Sequence, residues 1–102
     1  MSDATRLEVR VDAEMQAIVP KYLANRGKDC TLLRELASRG ALEDAKRLGH
    51  NMKGTGGGYG FDEISRLGDL IEIAAMTGDA KAIHSLSDEL DVYLAKLYVI
   101  YE

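Results

Sequence analysis

Apolar residues recur along this chain at intervals of three and four rather than two, which is the spacing of amphipathic helices. Two such stripes run through the second half: Ile64, Leu67, Ile71, Ala74 and Ala75 form the first, and Ile83, Leu86, Leu90, Tyr93, Leu94, Leu97 and Tyr101 form the second. Glycines separate the apolar segments at Gly27, Gly40 and Gly78 and in the stretch 54–60. The pattern predicts a row of helices joined by short turns.

Several residues mark where the helices begin and end. Gly78 is typical of a helix end, and the Asp79 that follows is typical of the N-cap of the next helix. Gly40 is predicted to close an earlier helix in the same way. Pro20, the only proline, lacks an N–H and restricts the residue before it, so it predicts a kink or a fresh helix start. Residues 20–39 are then expected to be helical.

The residues before position 12 follow another pattern. Leu7, Val9 and Val11 alternate with polar residues as in a strand, but the helical pattern elsewhere predicts no second strand for them to pair with. Residues 1–11 are therefore predicted to form an extended arm along the helices. Asp12 is predicted to cap a short first helix.

Four helices of about four turns each, joined by very short loops, can bury their stripes only by packing as antiparallel neighbours. The expected fold class is all-α, an up-down antiparallel four-helix bundle over residues 12–102 with a short extra N-terminal helix. A chain of 102 residues is expected to form one domain with a single modest core.

The composition is that of an ordinary globular domain, with 46% hydrophobic and 29% charged residues. No apolar run is long enough to cross a membrane, and residues 1–6 have no apolar stretch behind them to form a signal peptide, so a cytoplasmic location is expected. The net charge of −4, with both signs interspersed, does not predict nucleic acid as a partner. Cys30 is the only cysteine, so no intramolecular disulfide can form, and its leucine neighbours predict a buried thiol.

The most informative chemistry lies around His50. In a helix each residue advances by about 100°, so Ala45, Leu48, Met52, Gly56 and Tyr59 cluster on one side. His50 falls almost opposite to them, and the residues around it are Lys46, Arg47, Lys53, Gly54 and Gly57. An exposed imidazole beside cations and glycines is predicted to be a nucleophile for an anionic group on another macromolecule.

Phosphoryl transfer to histidine needs a neutral ring nitrogen with an open approach, and positive charge near the phosphoryl oxygens. Imidazole titrates near neutrality and is therefore available to attack. Lys53 at i+3 and Lys46 at i−4 lie one turn to either side of His50 and are predicted to stabilise the phosphoryl group. Gly54 and Gly57 are predicted to leave clearance for a docking partner, which would explain residues that cost a helix about 0.8–1.0 kcal/mol each.

The segment from His50 to Phe61 resembles the signature of histidine-containing phosphotransfer (HPt) domains: His, a hydrophobic residue two positions on, Lys-Gly, then small residues and a closing Gly-hydrophobic pair. Residues 18–23 and 67–75 resemble helix patterns of the same family, so the likeness covers most of the chain. The resemblance implies a cytoplasmic, monomeric four-helix bundle in a multistep phosphorelay. In that family the histidine accepts a phosphoryl group from an aspartyl phosphate on one receiver domain and passes it to another.

Carried over by position, the resemblance makes His50 the phosphorylated residue, Lys53 the phosphate stabiliser, and Gly54 and Gly57 the clearance positions. The implied partners are response-regulator receiver domains, one of a hybrid histidine kinase and one of a downstream regulator. No cofactor is expected on this chain, because the Mg²⁺ should belong to the receiver. The chain is then a phosphohistidine carrier rather than an enzyme. The candidate rim of the docking surface is formed by the apolar positions around the helix of His50, together with Arg47 and, at the start of the third helix, Phe61 and Ile64.

Two other functions remain open at this point. A non-transferring adaptor that docks a receiver domain and sequesters it would use the same surface. The dimerisation and phosphoacceptor domain of a sensor kinase is a weaker alternative, because there an acid follows the histidine and a proline lies shortly after. Here Asn51 follows His50, and no proline occurs after Pro20.

The second histidine provides an internal comparison. His84 has no Lys-Gly after it and is predicted to be a surface residue paired with Asp88 at i+4. Two histidines on different helices are too few ligands for a zinc site, so no metal site is predicted.

Overall fold

The computed structural model describes residues 6–102 and is mostly helical, at 74%. Within these residues four helices follow one another: α1 (Val19–Ser38), α2 (Leu42–Thr55), α3 (Asp62–Met76) and α4 (Ala80–Lys96). Short 3₁₀ turns precede α1 and α3, at Ala13–Met15 and Gly57–Tyr59. The prediction of a mostly helical chain is confirmed. Residues 1–5 of the predicted arm lie outside the described residues.

The predicted helix ends are present. Gly40 and Gly78 have positive φ values of +73° and +75°, a left-handed conformation that glycine adopts without steric cost, and they follow α1 and α3. The Asp79 side chain accepts a hydrogen bond from the Ala82 N–H at the start of α4. Pro20 lies in the first turn of α1, so the predicted fresh helix start is confirmed.

The two ends of the described chain form a structure that the sequence did not predict. Leu7–Val11 form strand β1, which pairs in parallel with strand β2, Leu97–Tyr101. The predicted isolated arm is therefore wrong for residues 7–11, and the apolar stripe of α4 does not remain helical beyond Lys96. β2 contains only Leu, Val, Ile and Tyr, types that suit a strand, and its pairing with β1 satisfies backbone groups of both segments.

The predicted extra N-terminal helix is reduced to a single turn. The Asp12 side chain accepts a hydrogen bond of 2.8 Å from the Glu14 N–H and caps this turn. The Ala13 N–H donates to the carbonyl of Glu102 at 3.0 Å, so the turn is tied to the end of β2.

The core is built from the predicted apolar stripes. α2 packs mainly against α3, and α1 mainly against α4. Cys30 of α1 is fully buried, as predicted, and this burial together with nearby Asp91 raises the pKa of its thiol to about 12. The fully buried residues of α3 and α4 are Ile64, Leu67, Ile71, Ile83, Ser87 and Leu90. None of the helices within residues 6–102 is long and apolar enough to cross a membrane.

Three glycines allow α2 and α3 to approach closely. A Cβ on Gly68 would lie 2.5 Å from the Lys53 backbone nitrogen and 2.7 Å from the Gly49 carbonyl oxygen. A Cβ on Gly49 would lie 2.8 Å from the Glu72 backbone nitrogen, and one on Gly56 would lie 2.7 Å from another backbone nitrogen of α3. Because no side chain separates the two backbones, residues on the outer sides of α2 and α3 come within reach of one another.

Candidate functional site

His50 points away from the core. Its side chain is 67% exposed and lies on the side of α2 opposite to the buried residues Ala45, Gly49 and Met52. These three recur at intervals of four and three, so they occupy one side of the helix and leave His50 on the other. The predicted outward orientation of the ring is confirmed.

The ring is held by an acid on the neighbouring helix. Nδ1 of His50 lies 3.1 Å from Oε2 of Glu72, whose side chain is only 16% exposed. An ionised carboxylate can only accept a hydrogen bond, so in this contact Nδ1 carries the hydrogen. Nε2 then keeps its lone pair. The contact with Glu72 therefore favours the tautomer in which Nε2 is the nucleophilic nitrogen.

Lys53 reaches the same carboxylate. Its Nζ lies 3.1 Å from Oδ1 of Asp69 and 3.8 Å from Oε1 of Glu72. The hydrogen bond to Asp69 and the charges of both acids raise the pKa of Lys53, which keeps its amine protonated. Glu72 thus contacts His50 through one oxygen and Lys53 through the other. The structure brings the predicted nucleophile and the predicted phosphate stabiliser to one acidic side chain.

The other two predicted cations also lie beside the ring. Lys46 and Arg47 line a shallow cleft of about 270 Å³ together with His50 and Glu72. Each of them pairs with an acid three residues earlier on α2, at 3.8 Å for Lys46 and 3.3 Å for Arg47. The surface around His50 therefore carries both signs of charge, whereas the sequence predicted only cations and glycines beside the ring.

Two acids of α3 contact His50 and Lys53, and the sequence did not place them at the site. Asp69 and Glu72 lie three positions apart, so they share one side of α3, and Gly68 sits beside them at the contact with α2. Two acids at this spacing on a largely apolar helix were a signal in the sequence. Only the packing of α3 on α2 shows that they face His50 and Lys53.

The predicted clearance positions have room for a side chain within the protein itself. A Cβ on the exposed Gly54 would have no atom within 4 Å. Gly57 lies in the 3₁₀ turn after α2, its N–H donates to Ser65 Oγ at 2.8 Å, and a Cβ there would lie 3.4 Å from Oδ1 of Asp62. A larger residue at Gly54 would therefore obstruct only a partner molecule. The clearance role of Gly54 and Gly57 stays a prediction.

Two residues of the predicted docking rim are inside the core. Phe61 and Ile64 are both completely buried, so the prediction that they contact a partner is wrong. The chain reverses at Gly60, where φ is +97°, and α3 then starts with its apolar side facing inward. Phe61 stacks on Tyr22, with ring centroids 6.3 Å apart. Arg47, the third predicted rim residue, is exposed.

A different surface beside His50 combines apolar and polar groups. It lies between α1 and α2 and surrounds a shallow cleft of about 370 Å³. Leu32 is exposed there, and Leu48 is partly exposed. This α1–α2 surface is defined by Leu32, Leu36, Arg39, Asp44, Arg47, Leu48 and Asn51.

The second histidine, His84, contacts a different residue from the predicted partner Asp88. Nε2 of the half-buried His84 lies 3.3 Å from Oγ of Ser38 on α1. Asp88 accepts hydrogen bonds of 2.9 Å and 3.1 Å from Arg34 instead. The guanidinium fork of Arg34 offers a stronger, charge-assisted partner than a histidine, so the predicted His84–Asp88 pair is wrong.

Comparison of the chain with family models, with curated proteins and with solved structures finds no match. The resemblance to HPt domains therefore remains a prediction from the motif, and the geometry around His50 carries the functional argument. Among residues 6–102, no group of three or more His, Cys, Asp or Glu side chains is arranged to hold a metal ion.

Proposed function

We propose that this protein is an HPt-like phosphohistidine carrier, a phosphorelay intermediate without turnover chemistry of its own. His50 accepts a phosphoryl group from an aspartyl phosphate of one receiver domain and passes it to another receiver domain. The observation that supports this most is the bridge formed by Glu72, which contacts Nδ1 of His50 at 3.1 Å and Nζ of Lys53 at 3.8 Å. An oriented, exposed ring beside an ammonium group meets the main needs of a phosphoryl acceptor.

The transfer step follows from the tautomer that Glu72 favours. The Nε2 lone pair of His50 attacks phosphorus, a P–N bond forms, and the P–O bond to the partner's aspartate breaks, which releases that carboxylate. The hydrogen on Nδ1 stays in place, and Glu72 offsets the positive charge that the ring gains. Attack by the aspartate of a second receiver reverses these changes. Glu72 acts through the ring and is a positioning residue.

Lys53 can change partners when the phosphoryl group arrives. An ammonium group has three donors, and two of its contacts in the structure are to Asp69 and Glu72. Its side chain is about half exposed, so it can reach toward the new anion. The phosphoryl oxygens would then share the cation with the acids of α3. In this proposal Mg²⁺ belongs to the receiver domain, and this chain needs no cofactor.

The arrangement of helices that we propose is an up-down antiparallel four-helix bundle. The connections 39–41, 56–61 and 77–79 contain three to six residues, whereas the shortest helix contains 14. The three-residue connections are too short to run back along a helix, and the six-residue connection is shortened by its 3₁₀ turn at Gly57–Tyr59, so we expect consecutive helices to point in opposite directions. As the family resemblance implies, the bundle would act as a cytoplasmic monomer.

The α1–α2 surface is the docking site that fits this function. It adjoins His50, it exposes Leu32 and part of Leu48, and Arg47 adds a cation at its margin. It replaces the buried Phe61 and Ile64 as the apolar part of the contact. A receiver domain bound there would bring its aspartate to the side of α2 on which Nε2 is open.

Transfer of radiolabelled phosphate from purified, phosphorylated receiver domains tests the proposal. We expect label on the wild-type chain that is lost in acid, none on His50→Gln, and unchanged labelling of His84→Gln, the matched control. Because the His50 ring is exposed, its replacement should leave thermal stability nearly unchanged.

The same experiment separates the alternatives. Binding of a receiver domain without any transfer of label would support the sequestering adaptor instead. Label that arrives only from ATP, and only with an added kinase ATP-binding domain, would support the sensor-kinase phosphoacceptor domain. Label that persists on His50→Gln would refute the assignment of the acceptor residue.

A further inference from the structure

A larger recess than the one beside His50 lies between β1, the start of α3 and α4. Its volume is about 730 Å³, against about 270 Å³ for the cleft at His50. We call it the β1–α4 cleft. On α3, Asp62 lines the β1–α4 cleft and Glu72 lines the cleft at His50. These two residues are ten positions apart, which corresponds to about 15 Å along the helix. The two sites are therefore separate.

Within residues 6–102, β1 pairs with a strand along one edge only, and its other edge borders this cleft. Leu7, Glu8 and Val9 all line it, and no residue of β2 does. If the cleft lay against one face of the sheet, only every second residue of β1 would line it, because the side chains of a strand alternate between the two faces. Three consecutive lining residues therefore indicate the backbone edge of β1 that does not pair with β2. N–H and C=O groups along an open strand edge can pair with a further strand.

The cleft offers apolar surface and two hydroxyl groups, those of Ser85 and Tyr93. Leu7 is exposed there, and Val92 of α4 is 51% exposed. Tyr93 is only 8% exposed, lines the cleft, and forms no side-chain hydrogen bond within residues 6–102. Burial, together with the nearby charges of Glu63 and Asp62, raises the pKa of Tyr93 to about 12, so its hydroxyl keeps its hydrogen. An incoming chain would find both apolar contacts and a polar partner.

The rim of the cleft is strongly acidic. One ammonium group, Lys96, accompanies five carboxylates: Glu8, Asp62, Glu63, Asp88 and Glu89. Arginines outside the cleft neutralise these acids only in part. Arg66 is shared between Glu63 and Glu89, Arg34 between Asp88 and Asp91, and Arg6 pairs with Glu8 at 3.8 Å. Asp62 has no ion pair within the described part of the chain. Negative charge remains for a cationic ligand.

We propose that the β1–α4 cleft binds an extended, lysine- or arginine-rich segment of a partner protein, which adds to the open edge of β1 as a third strand. Alternate side chains of that segment would contact Leu7, Val92 and Tyr93, and the others would reach the carboxylates of the rim. A second copy of this chain is a poor occupant, because each copy carries a net charge of −4. The inference does not depend on phosphoryl transfer at His50.

The test uses the full chain and a fluorescent ten-residue peptide of alternating Val and Lys, with binding measured by anisotropy. Val92→Lys places a cation in the cleft and should weaken binding at least tenfold. Met76→Lys, at a residue of α3 that is 65% exposed and lies outside the cleft, should not. Glu89→Gln should weaken binding severalfold, whereas Glu43→Gln on α2 should not. Added salt should also weaken binding, because the screening length falls from about 10 Å at 0.1 M to about 3 Å at 1 M.

Two further measurements test the strand pairing. A peptide with the same side chains but a methyl group on every backbone nitrogen should lose binding, and the parent peptide should slow amide hydrogen exchange in residues 7–11. His50→Gln should bind the peptide as the wild type does, so failure here and failure of the carrier function are distinguishable. Thermal unfolding checks that Val92→Lys is folded, and the milder Glu89→Gln tests the cleft if it is not.

Several outcomes would overturn the inference. If millimolar concentrations give no anisotropy change with the parent peptide, the cleft does not bind such a segment. Equal binding of the methylated peptide would exclude a third strand. Unchanged binding by both Val92→Lys and Glu89→Gln would place the peptide elsewhere. Self-association of the chain that is lost in Val92→Lys would make a second copy the occupant.

Discussion

Gly68 should be the glycine whose replacement is least tolerated, and Gly68→Ala tests how α2 and α3 are held together. The added methyl group would lie 2.5 Å from the Lys53 backbone nitrogen, 2.7 Å from the Gly49 carbonyl oxygen and 2.9 Å from Cβ of Met52. Two of these neighbours are main-chain atoms, which cannot move aside by changing a rotamer. The two helices must separate to make room.

The expected cost follows from these contacts. Insertion of an extra carbon into a well-packed region costs about 1–3 kcal/mol, and we expect the upper part of that range, about 2–3 kcal/mol, because backbone atoms are involved. Alanine has a better helix propensity than glycine, and this offsets about 1 kcal/mol of the packing cost. The free energy of unfolding should therefore fall by about 1–2 kcal/mol. In a domain of this size each kcal/mol corresponds to about 4–8 °C, so Tm should fall by about 5–15 °C.

Gly54→Ala is the matched control, because it makes the same chemical change in α2, where the added methyl group would meet no atom within 4 Å. It should raise the free energy of unfolding by up to about 1 kcal/mol. Thermal unfolding followed by circular dichroism compares the two variants with the wild type. If Gly68→Ala unfolds at or above the wild-type temperature, the argument that glycines set the distance between α2 and α3 is wrong.

Three further predictions concern side chains. Lys53→Ala should slow phosphoryl transfer about tenfold without abolishing it, since one cation near the phosphoryl group is lost; a wild-type rate in transfer assays would refute its role. Glu72→Gln should slow transfer and populate both tautomers of His50, visible as changed ring ¹⁵N shifts; unchanged shifts would contradict the positioning role. The Cys30 thiol has its pKa raised from 9.0 to about 12, so between these values the unfolded chain loses a proton that the folded chain keeps, and stability should fall as pH rises. Denaturant unfolding at pH 8 and about pH 10.5 should show this fall, and Cys30→Ala should reduce it.

Local patterns predicted the helices well because their causes are local. Gly40, Gly78 and Asp79 end and cap helices through their own backbone and side-chain properties, and their roles needed no knowledge of distant residues. The failure at Leu97–Tyr101 has the opposite cause. The apolar spacing of α4 continues into these residues, and their strand exists through pairing with Leu7–Val11 at the other end of the chain.

The docking rim was predicted wrongly for a similar reason. Phe61 and Ile64 follow the glycine-rich turn, and the direction in which α3 leaves that turn decides whether they face solvent or core. The positive φ of Gly60 sends both inward. For Ile64 the apolar stripe of its own helix already pointed to burial, whereas Phe61 lies before α3, where the periodicity of that helix does not apply.

The amino-acid sequence alone determined that His50 points outward, since the angle between His50 and the apolar residues of α2 depends only on the helical repeat. Only the tertiary structure decided what surrounds the ring. Glu72 and Asp69 reach His50 and Lys53 because Gly49 and Gly68 let two helix backbones approach to within contact distance. That approach depends on packing between segments some 20 residues apart, and no periodicity within either segment encodes it.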